Sequence, residues 1–146
     1  MKLGILTATA IISTIGITVP AQAEDPVHVR QLLATRECMG CDLSGADLSG
    51  AHLIGADLRN ADLSEANLTN ANLEGADLNG ATLKGANLTR VFASDASLVN
   101  TNLTGVNFSG ARLYTADMDG AILGGANFSG AKVYGVDLSR YGTDRQ

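Results

Sequence analysis

The chain has 146 residues, of which 45% are hydrophobic but only 4% are aromatic, and it carries 10 basic and 15 acidic side chains. This length fits about one domain, and a core this poor in aromatic residues must use many small side chains, which indicates a repeat. The acidic excess argues against nucleic-acid binding, which needs a basic surface that displaces counterions. Two Cys and two His leave little material for a structural zinc site or a His-based catalytic centre.

Residues 1–23 have the organisation of a secretory signal peptide. Lys2 supplies a positive start, residues 3–19 are uncharged, and Ala21-Gln22-Ala23 is a small-x-small cleavage site. The alternative is a membrane anchor, but the apolar run is short against the roughly 20 residues that span a bilayer. We therefore predict export, cleavage after Ala23, and no attachment to a membrane afterwards.

A short helix is predicted over residues 24–37. Asp25 can accept the free amides of the first turn, and Pro26 suits the first helical position. Three apolar residues have the i, i+3, i+4 spacing that predicts one buried face: Val29, Leu32 and Leu33. Because so short a helix is unstable alone, we expect it to cap the segment that follows.

From Cys41 to Arg140 the sequence repeats every five residues without insertion or deletion, which makes twenty pentads of the form Ala-(Asp/Asn)-Leu-(Ser/Thr)-Gly. The third position is Leu in fifteen pentads, and the first position is Ala in fifteen. A period of five matches neither a helix nor a strand. It favours a short extended piece followed by a tight turn, where Gly or Asn at the fifth position accepts unusual backbone angles.

The run Ala46-Asp47-Leu48-Ser49-Gly50 and its successors resemble the pentapeptide repeat proteins. The resemblance implies an all-β fold, a right-handed quadrilateral β-solenoid in which each pentad forms one side and four pentads form one coil. The repeat domain would occupy residues 38–140 as about five coils, capped by the N-terminal helix at 24–37 and followed by a tail at 141–146.

The far end of this column is predicted to be open. Unpaired strand edges invite pairing with another chain, and residues 141–146 form no evident helix. We expect this tail or a second copy of the chain to cover the last coil, so the predicted oligomer is a homodimer through the C-terminal coil.

Two cysteines, Cys38 and Cys41, would both point inward at the base of the column. In an exported protein such a pair can oxidise, and we predict a disulfide that pins the helix to the first coil. Two reduced, buried thiols are the alternative. A redox-active pair would need a helix after it to lower a thiol pKa, and a metal site would need two further ligands.

The outward residues sort into four faces. The fourth face carries an acidic strip, a candidate surface for a cation or a basic partner: Asp57, Asp77, Asp117, Asp119 and Asp137. The alternative is that the strip only keeps the protein soluble. The second face is an even ladder of Asp or Asn beside Ser or Thr, to which we assign no function.

The third face departs most from the repeat. Its upper half gathers five aromatic and basic residues as candidates for binding a protein partner: Phe92, Arg112, Tyr114, Lys132 and Tyr134. Exposed aromatics beside cations are typical of recognition patches. The central position of the same pentad is Ala93, which is smaller than the usual Leu and leaves a gap in the core. Phe92 therefore allows two hypotheses: its side chain turns inward to fill this gap, or it lies outside and anchors the partner.

Three functions are compatible with these features. Similarity to exported pentapeptide repeat proteins without assigned activity favours a non-enzymatic scaffold or protein-interaction module in the thylakoid lumen or periplasm. Other members resemble B-form DNA and protect DNA gyrase, an alternative that the acidic charge fits loosely and export opposes. A thiol-redox protein using Cys38 and Cys41 is the third. No catalytic set or phosphate-binding loop is evident, so we expect no enzymatic activity and no cofactor.

Overall fold

The structure is a computed structural model that describes residues 25–136 and 138. The predicted signal peptide at 1–23 and the tail at 141–146 lie outside the described residues, and so does Asp137 of the acidic strip. Within the described part of the chain, no helix combines the length and the apolar character needed to cross a membrane.

Helix α1 is the first element and spans Pro26–Thr35. It begins there because the Asp25 side chain accepts a hydrogen bond from a first-turn amide at 2.9 Å. It ends at Arg36, whose left-handed backbone (φ 61°) directs its own N–H to the Leu32 carbonyl at 2.8 Å. These two caps make α1 shorter than the predicted segment 24–37.

One line of α1 lies against the first coil. Leu32 is fully buried and Val29 is partly buried, both in the same hydrophobic cluster as the repeat. Leu33 is 54% exposed, so the prediction that it shares the buried face is wrong. The reason is that the apolar contact of α1 with the column runs through Val29 and Leu32, and Leu33 lies to one side of them.

Residues twenty apart are neighbours throughout the repeat. Parallel bridges join the second position of each pentad to the second position of the fourth pentad along, as between Asp47 and Asn67. On one face the ladder lengthens into two parallel strands, β1 (Arg112–Tyr114) and β2 (Lys132–Tyr134). One circuit of the chain therefore takes four pentads, each on its own face.

Backbone hydrogen bonds tie each coil to the next. A third-position N–H donates to a second-position carbonyl one coil on, as from Leu48 to Asn67 at 2.8 Å. A second-position N–H donates back, as from Asn67 to Ala46 at 2.9 Å. This is a parallel ladder reduced to about one rung per face, so each coil contacts its neighbours as in other solenoids.

The inward side chains form a continuous core. Third-position Leu and first-position Ala are buried along the column, with Ala51 and the last coil as partly buried exceptions. Phe108 and Phe128, twenty residues apart, stack with their ring centroids 5.1 Å apart. Each buried Leu contributes about 2 kcal/mol of gross transfer free energy, so the interior rather than the surface drives folding.

The fifth position of each pentad forms a corner. Every fifth residue from Gly45 to Gly135 has a positive φ, a region that glycine enters without a steric penalty. Seven of these corners are not glycine, among them Glu65, Arg90 and Asp95. The stacked coils thus impose the corner geometry even on long side chains, which then project from the edges between faces.

Candidate functional site

The third face is built from two columns of outward side chains. The second positions of successive coils are His52, Asn72, Phe92, Arg112 and Lys132, and the fourth positions are Ile54, Glu74, Ser94, Tyr114 and Tyr134. In the upper half, β1 and β2 pair in register, with Arg112 opposite Lys132 and Tyr114 opposite Tyr134. Paired strands lie about 4.8 Å apart, so four of the five predicted patch residues share two adjacent rungs.

Phe92 stands outside the column on the next rung down. Phe92 is 38% exposed, whereas Ala93 behind it is buried. The hypothesis that the Phe92 side chain turns inward to fill the gap is therefore wrong. Val91, which replaces the usual Ala at the first position of the same pentad, is fully buried and adds volume where Ala93 removes it. The Phe92 ring is therefore a surface feature.

Arg112 covers the Phe92 ring. The guanidinium carbon of Arg112 lies 4.7 Å from the ring centroid, and a cation in this position is attracted to the aromatic face by about 0.5–1 kcal/mol at exposed sites. This attraction biases Arg112 towards the position over the ring, and the guanidinium N–H groups are the donors that it can offer to a partner.

The two tyrosines form the neighbouring column. Tyr114 is 39% exposed and Tyr134 is 75% exposed. Neither phenol hydroxyl makes a hydrogen bond within the described residues. An aromatic body with a free polar tip is suited to an interface, where the ring is covered and the hydroxyl finds an acceptor.

A further cation, Arg90, borders this face and was not predicted. It occupies a corner with φ 55°, and its Cγ lies 3.4 Å from the point where a Cβ on Gly110 would stand. Its stem therefore rises over Gly110, the corner immediately before β1. The sequence carried a signal for this: a long basic residue at a corner position with a glycine twenty residues later.

The cations of this face form no ion pairs within the described part of the chain. No carboxylate within residues 25–136 forms an ion pair with Arg90, Arg112 or Lys132. Asp95 lies at the opposite edge of the face, where the Thr115 hydroxyl donates to its carboxylate. We call the following six residues the third-face patch: Arg90, Phe92, Arg112, Tyr114, Lys132 and Tyr134.

On the fourth face, Arg59 interrupts the acidic strip. Its Nη2 lies 2.6 Å from Asp57 Oδ2, and its Nε lies 3.8 Å from Asp77 Oδ2. Hydrogen bonds from the Arg59 side chain hold the pKa of Asp57 below its ordinary value, and the same contact raises the pKa of Arg59. In the lower part of the strip, the Asp57 carboxylate is thus already paired with Arg59, an ion pair that the residue pattern did not predict.

The upper part of the strip is separated from this ion pair by Ser97, which bridges Asp77 and Asp117 in the ladder. The Asp119 N–H donates to the Asp117 carboxylate at 3.0 Å. Among the residues that the structure describes, no three acidic, histidine or cysteine side chains converge on a point where a metal ion could sit.

The polar side chains of the second face bind one another. Asn67 donates to the Asp47 carboxylate at 3.1 Å, and Asn127 donates to the Ser109 hydroxyl at 2.9 Å. The Oδ1 atom of Asn87 accepts from the backbone N–H and the hydroxyl of Thr89. The ladder therefore uses its polar groups within the column.

At the base of the column, Cys38 and Cys41 are joined by a disulfide, and both residues are buried. Nearby, the Asp42 N–H donates to Nδ1 of His28 on α1 at 3.2 Å. A buried disulfide is out of reach of an attacking thiolate. The predicted disulfide is present, but both cysteines come after α1 and the Cys38 N–H already donates to Asp57 in the column, so the bond closes a short loop at the base while His28 provides the contact from α1.

A family model described as pentapeptide repeats matches residues 41–80, 66–105, 76–113 and 101–140, with eight copies. Together these matches cover the whole run from Cys41 to Arg140. The chain therefore belongs to the pentapeptide repeat family, and the predicted class of fold, a β-solenoid, is confirmed.

Solved structures of the same family are similar to this chain. A pentapeptide repeat protein from the cyanobacterium Cyanothece 51142 is 26% identical with a TM-score of 0.49, over 73% of this chain and 93% of that one. A pentapeptide repeat protein from the Arabidopsis thaliana thylakoid lumen is 32% identical with a TM-score of 0.36, over 75% and 76%. QnrB1, a plasmid-mediated fluoroquinolone resistance protein, is 20% identical with a TM-score of 0.44, over 68% and 60%. Comparison with curated protein sequences gave no match.

Proposed function

We propose that this chain is an exported, non-enzymatic pentapeptide repeat protein that binds another protein through the third-face patch. The observation that carries the proposal is a set of three cations that form no ion pair with a carboxylate of the described residues, beside three exposed aromatic rings. Aromatic residues and Arg are the side chains most enriched in the energetic centres of protein interfaces.

Folding does not require the third-face patch. The core comes from the first and third positions, whereas the patch occupies second and fourth positions and one corner. Exposed cations that repel one another cost a little stability, which a contribution to binding would offset. This separation of core from surface supports a binding role for the patch.

The alternative functions are less well supported by the same geometry. A mimic of B-form DNA needs a continuous negative surface, and Arg59 on the fourth face and the third-face patch both interrupt it. A thiol-redox protein needs an accessible sulfur, and the disulfide of Cys38 and Cys41 is buried. A protein-interaction module requires neither feature.

Export to the thylakoid lumen or periplasm is part of the proposal, with cleavage after Ala23. The disulfide supports it, because such bonds persist in oxidising compartments. The mature chain would then be a column of about five coils capped by α1. N-terminal sequencing of the protein from its native compartment should begin at Glu24, and a chain that begins at Met1 would contradict this part of the proposal.

The proposed oligomeric state is based on the last coil that the structure describes. Three inward side chains of the last coil are only partly buried: Phe128, Val133 and Leu138. We propose that a second copy covers this end, as an extension of the sequence prediction. Light scattering should report a dimer, and a monomer at high concentration would contradict it.

The test of the proposed function is photo-affinity capture from lumen or periplasm extract with the mature protein. One variant replaces Arg112, Tyr114, Lys132 and Tyr134 with Ala. A matched control replaces Thr69, Thr89, Ser109 and Ser129 of the second face with Ala, and thermal melting checks that both variants fold. We expect the wild type and the control to capture the same partner and the patch variant to lose it. Equal capture by all three proteins would place the binding site elsewhere.

A further inference from the structure

We propose that the third-face patch binds an acidic polypeptide strand in which a carboxylate side chain and an apolar side chain are two residues apart. This inference rests on the proposed function and assigns the chemistry of the partner. Three features of the patch indicate this partner: its charge, the spacing of its two columns, and the acidic residues that flank it.

The charge of the patch selects an anion. Within the described residues, Arg90, Arg112 and Lys132 form no ion pair with a carboxylate, and the net charge of the chain is −5. The guanidinium carbon of Arg112 lies 4.7 Å from the Phe92 ring centroid, and a guanidinium can donate two parallel hydrogen bonds to one carboxylate. Lys132, one rung above Arg112, adds a point charge on the same side.

The spacing of the columns selects a polypeptide strand. Arg112 and Tyr114 are residues i and i+2 of β1, and Lys132 and Tyr134 are residues i and i+2 of β2. In an extended strand, such residues share a face about 6.6–6.8 Å apart. A partner strand that lies across the patch has the same spacing, so it can place one carboxylate over the cations and one apolar side chain over the tyrosines.

The flanking acids set the direction of the bound strand. Glu74 lies two rungs below Tyr114 in the tyrosine column, and Asp95 lies at the corner beyond that column. Both would repel a carboxylate placed over the tyrosines. The apolar side chain of the partner is therefore favoured on the tyrosine side, and its carboxylate on the cation side. A glycan or a lipid surface supplies negative charge without an apolar side chain at this spacing.

The experiment measures binding of fluorescein-labelled peptides to the mature protein by anisotropy at low salt. The test peptide is (Glu-Thr-Leu-Ser)3, which places Glu and Leu two residues apart. The spacing control is (Glu-Leu-Thr-Ser)3, which has the same composition but puts them on opposite faces of a strand. The charge control is (Gln-Thr-Leu-Ser)3. Polygalacturonate and phosphatidylglycerol vesicles are tested as competing anions.

We expect the test peptide to bind at least about tenfold more tightly than either control peptide, and added salt to weaken it. Arg112→Glu and Lys132→Glu should each weaken binding about tenfold or more. Arg59→Ala, a cation on another face, should leave binding unchanged. Equal binding of the two Glu peptides, or an equal loss in Arg59→Ala, would overturn the inference.

Other outcomes separate the inference from the proposed function. If the test peptide does not bind while the extract partner is still captured through the third-face patch, the partner chemistry is wrong and the proposed function stands. If polygalacturonate or vesicles bind more tightly than the peptide and depend on Arg112, the patch recognises another class of anion. If the peptide binds with the predicted spacing and the extract yields no patch-dependent partner, the chemistry stands and the proposed function fails.

Discussion

The second and third faces have the same backbone and opposite surface chemistry. On the second face, Asn and Ser or Thr side chains bind one another, as Asn127 does with Ser109. On the upper third face, Arg112 lies over the Phe92 ring and forms no ion pair within the described residues, and the Tyr134 hydroxyl makes no hydrogen bond there. The inward side chains of the repeat thus supply the stability of the fold. The third face can therefore carry charged and aromatic side chains that the core does not use.

This difference predicts that losses of folding stability and losses of partner binding come from different positions. Substitutions in the core should lower stability whether the substituted residue lies beneath the second face or the third. Substitutions on the second face should cost a little stability and no binding, whereas those on the third face should cost binding and little stability.

The largest expected effect comes from the core beneath both faces. Leu68 lies under the second face and Leu73 under the third, and both are fully or almost fully buried. Replacing either with Ala should lower the free energy of unfolding by about 3 kcal/mol, because transfer energy is lost and a cavity remains. Urea unfolding measures this, and losses that differ severalfold between the two positions would break the assumed equivalence of the faces.

The next effect is on binding and belongs to the third face. Arg112→Ala should lower the affinity for the test peptide severalfold, because one carboxylate of the peptide loses a charged hydrogen-bonding partner. The free energy of unfolding should fall by less than about 1 kcal/mol, the size of an exposed cation–aromatic contact. Anisotropy and urea unfolding on the same sample report both values, and a large loss of stability would show that Arg112 supports the fold instead.

A smaller effect, on stability alone, is expected on the second face. Asn87→Ala removes the acceptor for the backbone N–H and hydroxyl of Thr89, which should cost about 1 kcal/mol. Peptide binding should not change. Weaker binding in this variant would show that the two faces are coupled through the coils.

The smallest effect concerns the ion pair on the fourth face. Because Arg59 lowers the pKa of Asp57, the pair stabilises the fold above the unfolded pKa, and this stability is lost as pH falls below about 4. Asp57→Asn should therefore flatten the fall in melting temperature under acid and change little at neutral pH. Arg59→Ala should do much the same, and the double variant should add nothing further. Additive effects would show that the two residues act separately.

The fold could be predicted from the sequence because the five-residue period leaves few alternatives. A buried Leu three places into each pentad and a small residue two places before it fix which side chains point inward. The number of sides followed from the resemblance to the pentapeptide repeat proteins. Packing at the ends is not periodic, which is why Leu33 was wrongly placed in the buried face.

The site could be predicted only in part. The five outward residues of the third face follow from the repeat, but contacts between coils do not. Arg90 joins the patch because Gly110 above it leaves room for its stem, and Arg59 reaches two carboxylates on successive rungs. Phe92 lies outside and is covered by Arg112. The conformation of a side chain that reaches from one rung to the next depends on the residue twenty positions away, which the five-residue pattern does not specify.

The most direct test of the central claim places a photo-cross-linking residue at one of two positions in the mature protein. One variant carries it in place of Tyr134 on the third face, and the other carries it in place of Asn127 on the second face. Both are expressed in the native compartment and irradiated. We expect a cross-linked partner from position 134 and none from position 127. The cross-linked peptide of the partner should contain acidic residues. Equal yields from the two positions, or a partner found only from 127, would contradict it.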